Sequence, residues 1–217
     1  MKFGQKTLQI LKNFSGINPS LYFKEGNSIA TISPSKSMVA YGTISETIPK
    51  PFGIYDVSKF ISIISNFSDP DINIQDKFAE ITEGNQRVKY HFADVTMIKT
   101  PPESKIKFPE PDVEFDLSNE TLASVIKVLG ILGLPEIAFI GDGKKVVVAA
   151  IDSRGAVNDT FSVDVGDTDM VFKGIFKQEN LKILPDNYHV SISGKGIARF
   201  TSADIEYYVS MESTSEF

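Results

Sequence analysis

GIYDVSKFISIISNFSDPDINI, Gly53 to Ile74, reappears in altered form as GIFKQENLKILPDNYHVSI, Gly174 to Ile192. Three further pairs recur in the same order. LQILK at Leu8 is answered by ASVIK at Ala123, a strand pattern after Pro-Asp at Ile72 by one at Tyr188, and FAEIT at Phe78 by IARFT at Ile197. The offsets stay between 115 and 121 residues, so the chain reads as a duplicated domain. The divide falls in TPPESKIKFPEPD, Thr100 to Asp112, because Pro101, Pro102, Pro109 and Pro111 cannot continue a helix or an inner strand. This sets domains at 1–103 and 113–217 with a connector at 104–112.

Both halves carry the same pattern. A helix opens each, burying Leu8, Ile10, Leu11 and Phe14 in the first and Leu122, Val125, Ile126 and Leu129 in the second, where Ser118 and Thr121 offer cap oxygens. Short alternating strands follow, among them MVAYGTI at Met38, KVVVAAI at Lys145 and TFSVDV at Thr160. A second helix, Asp56 to Phe67 or Gln178 to Leu184, and a closing strand pair complete each unit. The fold class is α+β, with two helices packed on an antiparallel sheet in each half.

The chain has 217 residues, 41% of them hydrophobic, no cysteine, and 28 acidic against 22 basic residues for a net charge of -6. Cysteine-based disulfides, zinc sites and nucleophiles are excluded. Neither the opening MKFGQKTLQILKNF nor any later segment has the apolar run of a signal peptide or membrane span, which points to a cytoplasm-like compartment. His91 and His189 fall within strand patterns, SGKGIARF lacks phosphate-loop spacing and reads as a hairpin turn, and DVGDTDM, Asp164 to Met170, lacks the closing glutamate of a calcium loop and reads as a solvated loop. No catalytic or metal-binding set emerges, and binding is the expected activity.

The helix faces left over after burial show one sign of charge. The first helix turns Lys2, Lys6, Gln9, Lys12 and Asn13 outward, the second Ser58, Lys59, Ser62, Ser65 and Asn66, and the third Ser124 and Lys127. The fourth offers Lys177 and Lys182, but also Glu179. Helix surfaces ordinarily mix signs for i,i+4 pairing. Lysine faces inside an acidic chain suit a polyanion contacted through its phosphates without sequence readout.

With these features in place, KTLQILKNFSGIN, IYDVSKFISII and the closing YYVSMESTSEF resemble the DNA polymerase sliding clamps of T-even-type bacteriophages over the whole chain. The resemblance implies a homotrimeric ring of duplicated clamp domains with helices around duplex DNA, opened by an ATP-dependent clamp loader, tethering DNA polymerase in the cytoplasm of the infected bacterial host. It implies no cofactor. It also implies an apolar pocket for partner peptides between the halves, with Ile106, Phe108 and Pro109 on the connector, Tyr208 and Val209 beside it, and Met38 and Ala40 as the floor. Exposed sheet edges need pairing, and head-to-tail pairing closes a ring. The segment with Arg87, Val88, Tyr90 and Phe92 is therefore expected to meet Thr160, Phe161, Val163 and Val165 of the next chain. A phage structural or assembly protein forming a symmetric ring is the alternative from another functional class.

Overall fold

A computed structural model describes residues 1–155 and 159–217 and divides them into two units, Met1–Ser104 and Lys105–Phe217. In the first, α1 (Gln5–Ile17) leads into β1 (Leu21–Phe23), β2 (Gly26–Ile32), β3 (Met38–Ile48) and β4 (Phe52–Ile54). Then come α2 (Val57–Ile64), β5 (Asp71–Ile74), β6 (Phe78–Glu83) and β7 (Gln86–His91). The strands form antiparallel sheets in the orders β4-β1-β2-β3 and β5-β6-β7. The second unit has β8 (Val113–Leu117), α3 (Asn119–Leu132), β9 (Glu136–Asp142), β10 (Lys145–Ile151), β11 (Phe161–Asp167) and β12 (Val171–Lys177). Its closing strands are β13 (Tyr188–Ser193), β14 (Ile197–Thr201) and β15 (Ile205–Ser210). Its sheets run β12-β9-β10-β11 and β8-β13-β14-β15.

The two orders superimpose strand for strand. Even β8 has a counterpart, because the Ile72 N–H donates to the Met1 carbonyl at 2.7 Å, placing the chain start beside β5 as β8 lies beside β13. The repeated FAEIT and IARFT are β6 and β14, the middle strands of equivalent sheets. Asp164–Asp167, expected in a loop, are instead part of β11, where Val163 and Val165 alternate with exposed neighbours.

Aromatic rings join the sheets of each unit. Phe139 of β9 lies 5.3 Å from Phe115, 5.7 Å from Phe176 and 6.0 Å from Phe200, while Tyr188 packs edge-on to Phe200 at 6.2 Å. In the first unit Phe52 stacks between Phe23 at 4.5 Å and Phe92 at 4.8 Å, and α2 adds Phe60 against Tyr90.

The expected fourth helix does not form. Gln178–Asn180 make a single 3-10 turn, and the residues after it bury Leu181 and Ile183, a spacing of two that belongs to extended backbone. The run is pinned by two tyrosines: the Leu184 N–H donates to the Tyr207 hydroxyl at 3.1 Å, and the Tyr188 hydroxyl donates to the Leu184 carbonyl. Leu184 also precedes Pro185, which disfavours helical backbone there. Among its described residues the second unit therefore has one α-helix, capped by the Ser118 hydroxyl and ended by Gly133 at φ 64°.

The repeated glycines have equivalent tasks. After β7 the chain returns across β4, the Ala93 N–H donates to the Gly53 carbonyl at 2.9 Å, and a Cβ on Gly53 would lie 2.6 Å from Ile98 Cδ1 and 3.2 Å from the Ala93 oxygen. After β15 the closing segment returns across β12, where a Cβ on Gly174 would meet Met211 Sδ at 3.0 Å. Lys173 and Glu216 exchange both backbone hydrogen bonds there, and Phe217 stacks on Phe172 at 5.5 Å.

On the β8–β13 surface, His189 Nδ1 bonds Asp116 at 2.9 Å, and Ser191 donates to Glu114 at 2.8 Å. The Asp116 bond holds the His189 pKa above the ordinary imidazole value, and the Ser191 hydroxyl holds Glu114 below the ordinary carboxylate range.

Two outcomes follow from this packing. Gly53→Ala should destabilise the chain by about 1–3 kcal/mol in denaturant melts. Adding Ile98→Val, which deletes the obstructing Cδ1, should recover part of the loss, and no recovery would disprove the crossing contact. The raised His189 pKa means its stabilisation is complete below about pH 6.5 and is lost as pH rises through the folded value. The Tm advantage of the native chain over His189→Gln should shrink over that rise; a pH-independent difference would detach His189 from Asp116.

Candidate nucleic-acid interface

The placement of the lysines starts with the apolar stripe of α1. Ile10, Leu11, Phe14 and Ile17 are buried together with Thr7, so Lys6, Gln9 and Lys12 are turned outward. Leu8, expected in the core, is half-exposed and belongs to the outer side. Gly4 supplies no side-chain cap; Glu46 of β3 takes that role, accepting from the Gly4 N–H at 2.6 Å and the Thr7 hydroxyl at 2.5 Å. A carboxylate there suits the helix dipole. Its position in an alternating strand gives no sequence signal for this role.

Asp56 caps α2 by accepting from the Lys59 N–H at 2.8 Å. The helix buries Val57, Phe60 and Ile64 and exposes Ser58, Lys59 and Ser62. Between α1 and α2 lies an open groove of about 390 Å³. Gln5, Gln9, Lys12 and Ser15 line one side, Ser58, Ser62 and Ser65 the other, with Leu8 and Ile61 in its floor. No carboxylate lines it.

In the second unit α3 buries Leu122, Val125 and Leu129 and exposes Lys127. Ile126, expected in the core, is half-exposed, and Ile131 stands 71% exposed near the helix end. Among the described residues, Lys12, Lys59 and Lys127 form no ion pair. Lys6 is exposed on α1. The other candidates differ. Lys2 precedes α1 and is ion-paired with Asp69, which raises its pKa. Lys177 ends β12 and pairs with Glu212 at 3.1 Å, while Lys182 is exposed in the extended run that replaces the fourth helix.

The connector residues are anchored in the second unit. Phe108 is half-buried, 6.1 Å from the Tyr208 ring, with the Arg199 guanidinium 4.8 Å from its centroid. Ile106 and Pro109 are half-exposed, and Lys105 is ion-paired with Glu206. Met38, Ala40, Tyr208 and Val209 are buried, Ala40 and Val209 with no exposed surface. Those two are corrected from contact residues to core, since a side chain without surface cannot touch a partner.

Among the strands at sheet ends are β7 and β11. On β7 and just beyond it, Val88, Tyr90 and Phe92 are half-buried while Arg87 and Lys89 are exposed. On β11, Phe161, Val163 and Val165 are half-buried while Asp164 and Asp167 are exposed, and Thr160 lies just outside the strand. Each edge thus presents alternating apolar residues, one with basic and the other with acidic companions. No helix among the described residues is long and apolar enough to cross a membrane.

Comparison with known proteins covers both units. Residues 114–213 match the family model "gp45 sliding clamp, C terminal", and residues 2–97 match "DNA polymerase processivity factor". The chain is 33% identical to the sliding clamp of Vibrio phage KVP40, over 98% of this chain and 99% of that one. It is 29% identical to the sliding clamp of Escherichia phage RB69, over 99% and 98%. In three dimensions it is similar to an A. fulgidus PCNA solved with the C-terminal region of FEN-1, with a TM-score of 0.75 at 13% identity and full coverage of both chains. Proliferating cellular nuclear antigen from Entamoeba histolytica gives 0.71 at 15% identity over 97% of each chain. The duplicated α+β topology, the lysine-faced helices and these whole-length matches agree: the chain belongs to the sliding-clamp family of bacteriophages, non-enzymatic processivity factors for DNA polymerase.

Proposed function

We propose that this clamp works as a closed homotrimeric ring around duplex DNA, loaded by an ATP-dependent clamp loader and tethering the replicative polymerase in the cytoplasm of the infected host. The observation that carries the reading is the placement of Lys12, Lys59 and Lys127 on helix faces, without ion pairs among the described residues, in a chain of net charge -6. Lys6 and Lys182 are assigned to the DNA side on their exposure alone. Lys2 and Lys177 contribute less, because each already has a carboxylate partner. Phosphate contacts of this kind are mobile and indifferent to sequence. Membership of the clamp family replaces the structural-protein alternative.

Ring closure is assigned to β7 of one chain pairing with β11 of the next. Both edges are otherwise open to unwanted pairing, the apolar residues of each alternate, and the exposed Lys89 complements Asp167, while Arg87 and Asp164 already pair with Glu80 and Lys145. Partner peptides are assigned to the connector strip of Ile106, Phe108 and Pro109, with Tyr208 buried behind Phe108 as its support. In the A. fulgidus relative a C-terminal region of another protein is bound, and the half-exposed Phe108 is the anchor that such a segment would need here.

Reversing Lys12, Lys59 and Lys127 together to Glu should leave a trimer by light scattering and a normal thermal melt, yet abolish processive synthesis with loader and ATP. Full processivity with the trimer intact would remove these helices from the channel, and a native chain monomeric throughout the micromolar range would remove the ring. Phe108→Ala should weaken a polymerase peptide in calorimetry by about 1–3 kcal/mol. Unchanged affinity would leave Phe108 as packing for Tyr208 and Arg199.

A further inference from the structure

Resting on the reading that the helices face DNA, we propose that the α1–α2 groove is the clamp's principal phosphate seat, combining charged and neutral contacts, and that the second unit is a minor contact. The two halves share a topology but differ at this surface. The first unit has two helices with a groove between them; the second has α3 alone among its described residues, because the run after the 3-10 turn at Gln178–Asn180 is pinned in extended form by Tyr188 and Tyr207. Nothing equivalent to the groove can form beside α3 without its helical partner.

The groove's chemistry fits a phosphodiester. Lys12 brings a cation without an ion pair among the described residues, Lys59 stands exposed on the adjoining helix, and no carboxylate lines the groove. The Ser62 and Ser15 hydroxyls donate inward to the Ser58 and Lys12 carbonyls at 2.8 Å and 2.7 Å. The Ser58 and Ser65 hydroxyls and the Gln9 amide make no side-chain hydrogen bond among the described residues, so their donors remain available. On α3 the surface near the helix end is apolar instead, with Ile131 71% and Leu132 37% exposed, and offers phosphate no donor. Three such seats per ring would hold the duplex at alternate domains.

Charged and neutral contacts separate experimentally. Lysine contacts release counterions and set the salt slope, whereas hydroxyl and amide donors add affinity without changing it. The full chain, methyl-labelled at Ile and Leu, is titrated by NMR with a short blunt duplex of mixed sequence at several salt concentrations. The Leu8 and Ile61 methyls in the groove floor should shift, and Ile131 should scarcely move. Lys12→Gln and Lys59→Gln should each lower the salt slope by at most about one unit, with a smaller effect from Lys127→Gln. Gln9→Ala/Ser58→Ala/Ser65→Ala should weaken binding about tenfold at an unchanged slope.

Native affinity in this triple variant, with Lys12→Gln still lowering the slope, overturns the seat while leaving the DNA-facing helices in place. No slope change from any lysine variant overturns both. A shift at Ile131 as large as at Ile61, with equal losses from Lys127→Gln and Lys12→Gln, overturns the inequality between units. An equal Ile61 shift with inorganic phosphate at matched ionic strength overturns the assignment to DNA.

Discussion

Burial of aromatic rings between the two sheets of each unit is the constraint on which the other features depend. Phe139, Phe176, Phe200, Tyr188 and Tyr207 are essentially inaccessible in the second unit, as are Phe23 and Phe60 in the first. Each such side chain contributes roughly 1.5–3 kcal/mol by leaving water, with about 0.5–1.5 kcal/mol more for a well-placed pair of rings. The exposed ion pairs, such as Lys50 with Asp76 at 2.6 Å and Lys145 with Asp164 at 2.6 Å, contribute little, because water screens them. The apolar layer therefore fixes which side of each sheet is covered and which stripe of each helix is buried. Charge is left free to be distributed for another purpose.

That ordering explains where the acidic residues went. Those near the helices are used at their ends: Glu46 caps α1, Asp56 caps α2 and Glu120 lies in the first turn of α3. Each complements a helix dipole at its positive end and leaves the length of the helix to lysine, serine and glutamine. Others lie on sheet edges and turns, as with Asp142, whose carboxylate accepts from the Lys144 and Lys145 N–H groups at 2.9 Å and 2.8 Å. An acidic total and a basic working face are compatible because the two signs occupy different elements.

Much of this was legible in the sequence because duplication states each pattern twice. The alternation in FAEIT and IARFT, the stripe of Ile10, Leu11 and Phe14, and the Ser118 cap are local signals whose local reading survives folding. The failures lie where a distant contact decides. Residues 178–184 contain helix formers, but Tyr207, more than twenty positions away, takes the Leu184 N–H and the backbone stays extended. Leu8 fits an apolar stripe by spacing, yet its angular position places it in the groove floor. The partners of Lys2 and Lys177, Asp69 and Glu212, lie on other elements and no spacing rule finds them. The same holds for Glu46, whose role depends on β3 passing beneath the start of α1.

Duplication also explains the difference between the halves. Two copies supply the same sheet orders and the same return of the chain over Gly53 and Gly174, and these features recur because each closes a core. The outward face of a helix closes nothing, so selection on stability does not hold it constant between copies. The first unit has a second helix and a polar groove; in the second the matching run buries Leu181 and Ile183 in its own core instead. In the proposed ring this exchange has little cost for retention on DNA, because a closed ring is held by topology and not by the sum of its contacts. Additional lysines in the second unit would deepen each phosphate contact and slow movement along the duplex. In the proposed ring, a half that supplies mainly scaffold beside a half that supplies contact is compatible with weak, mobile binding.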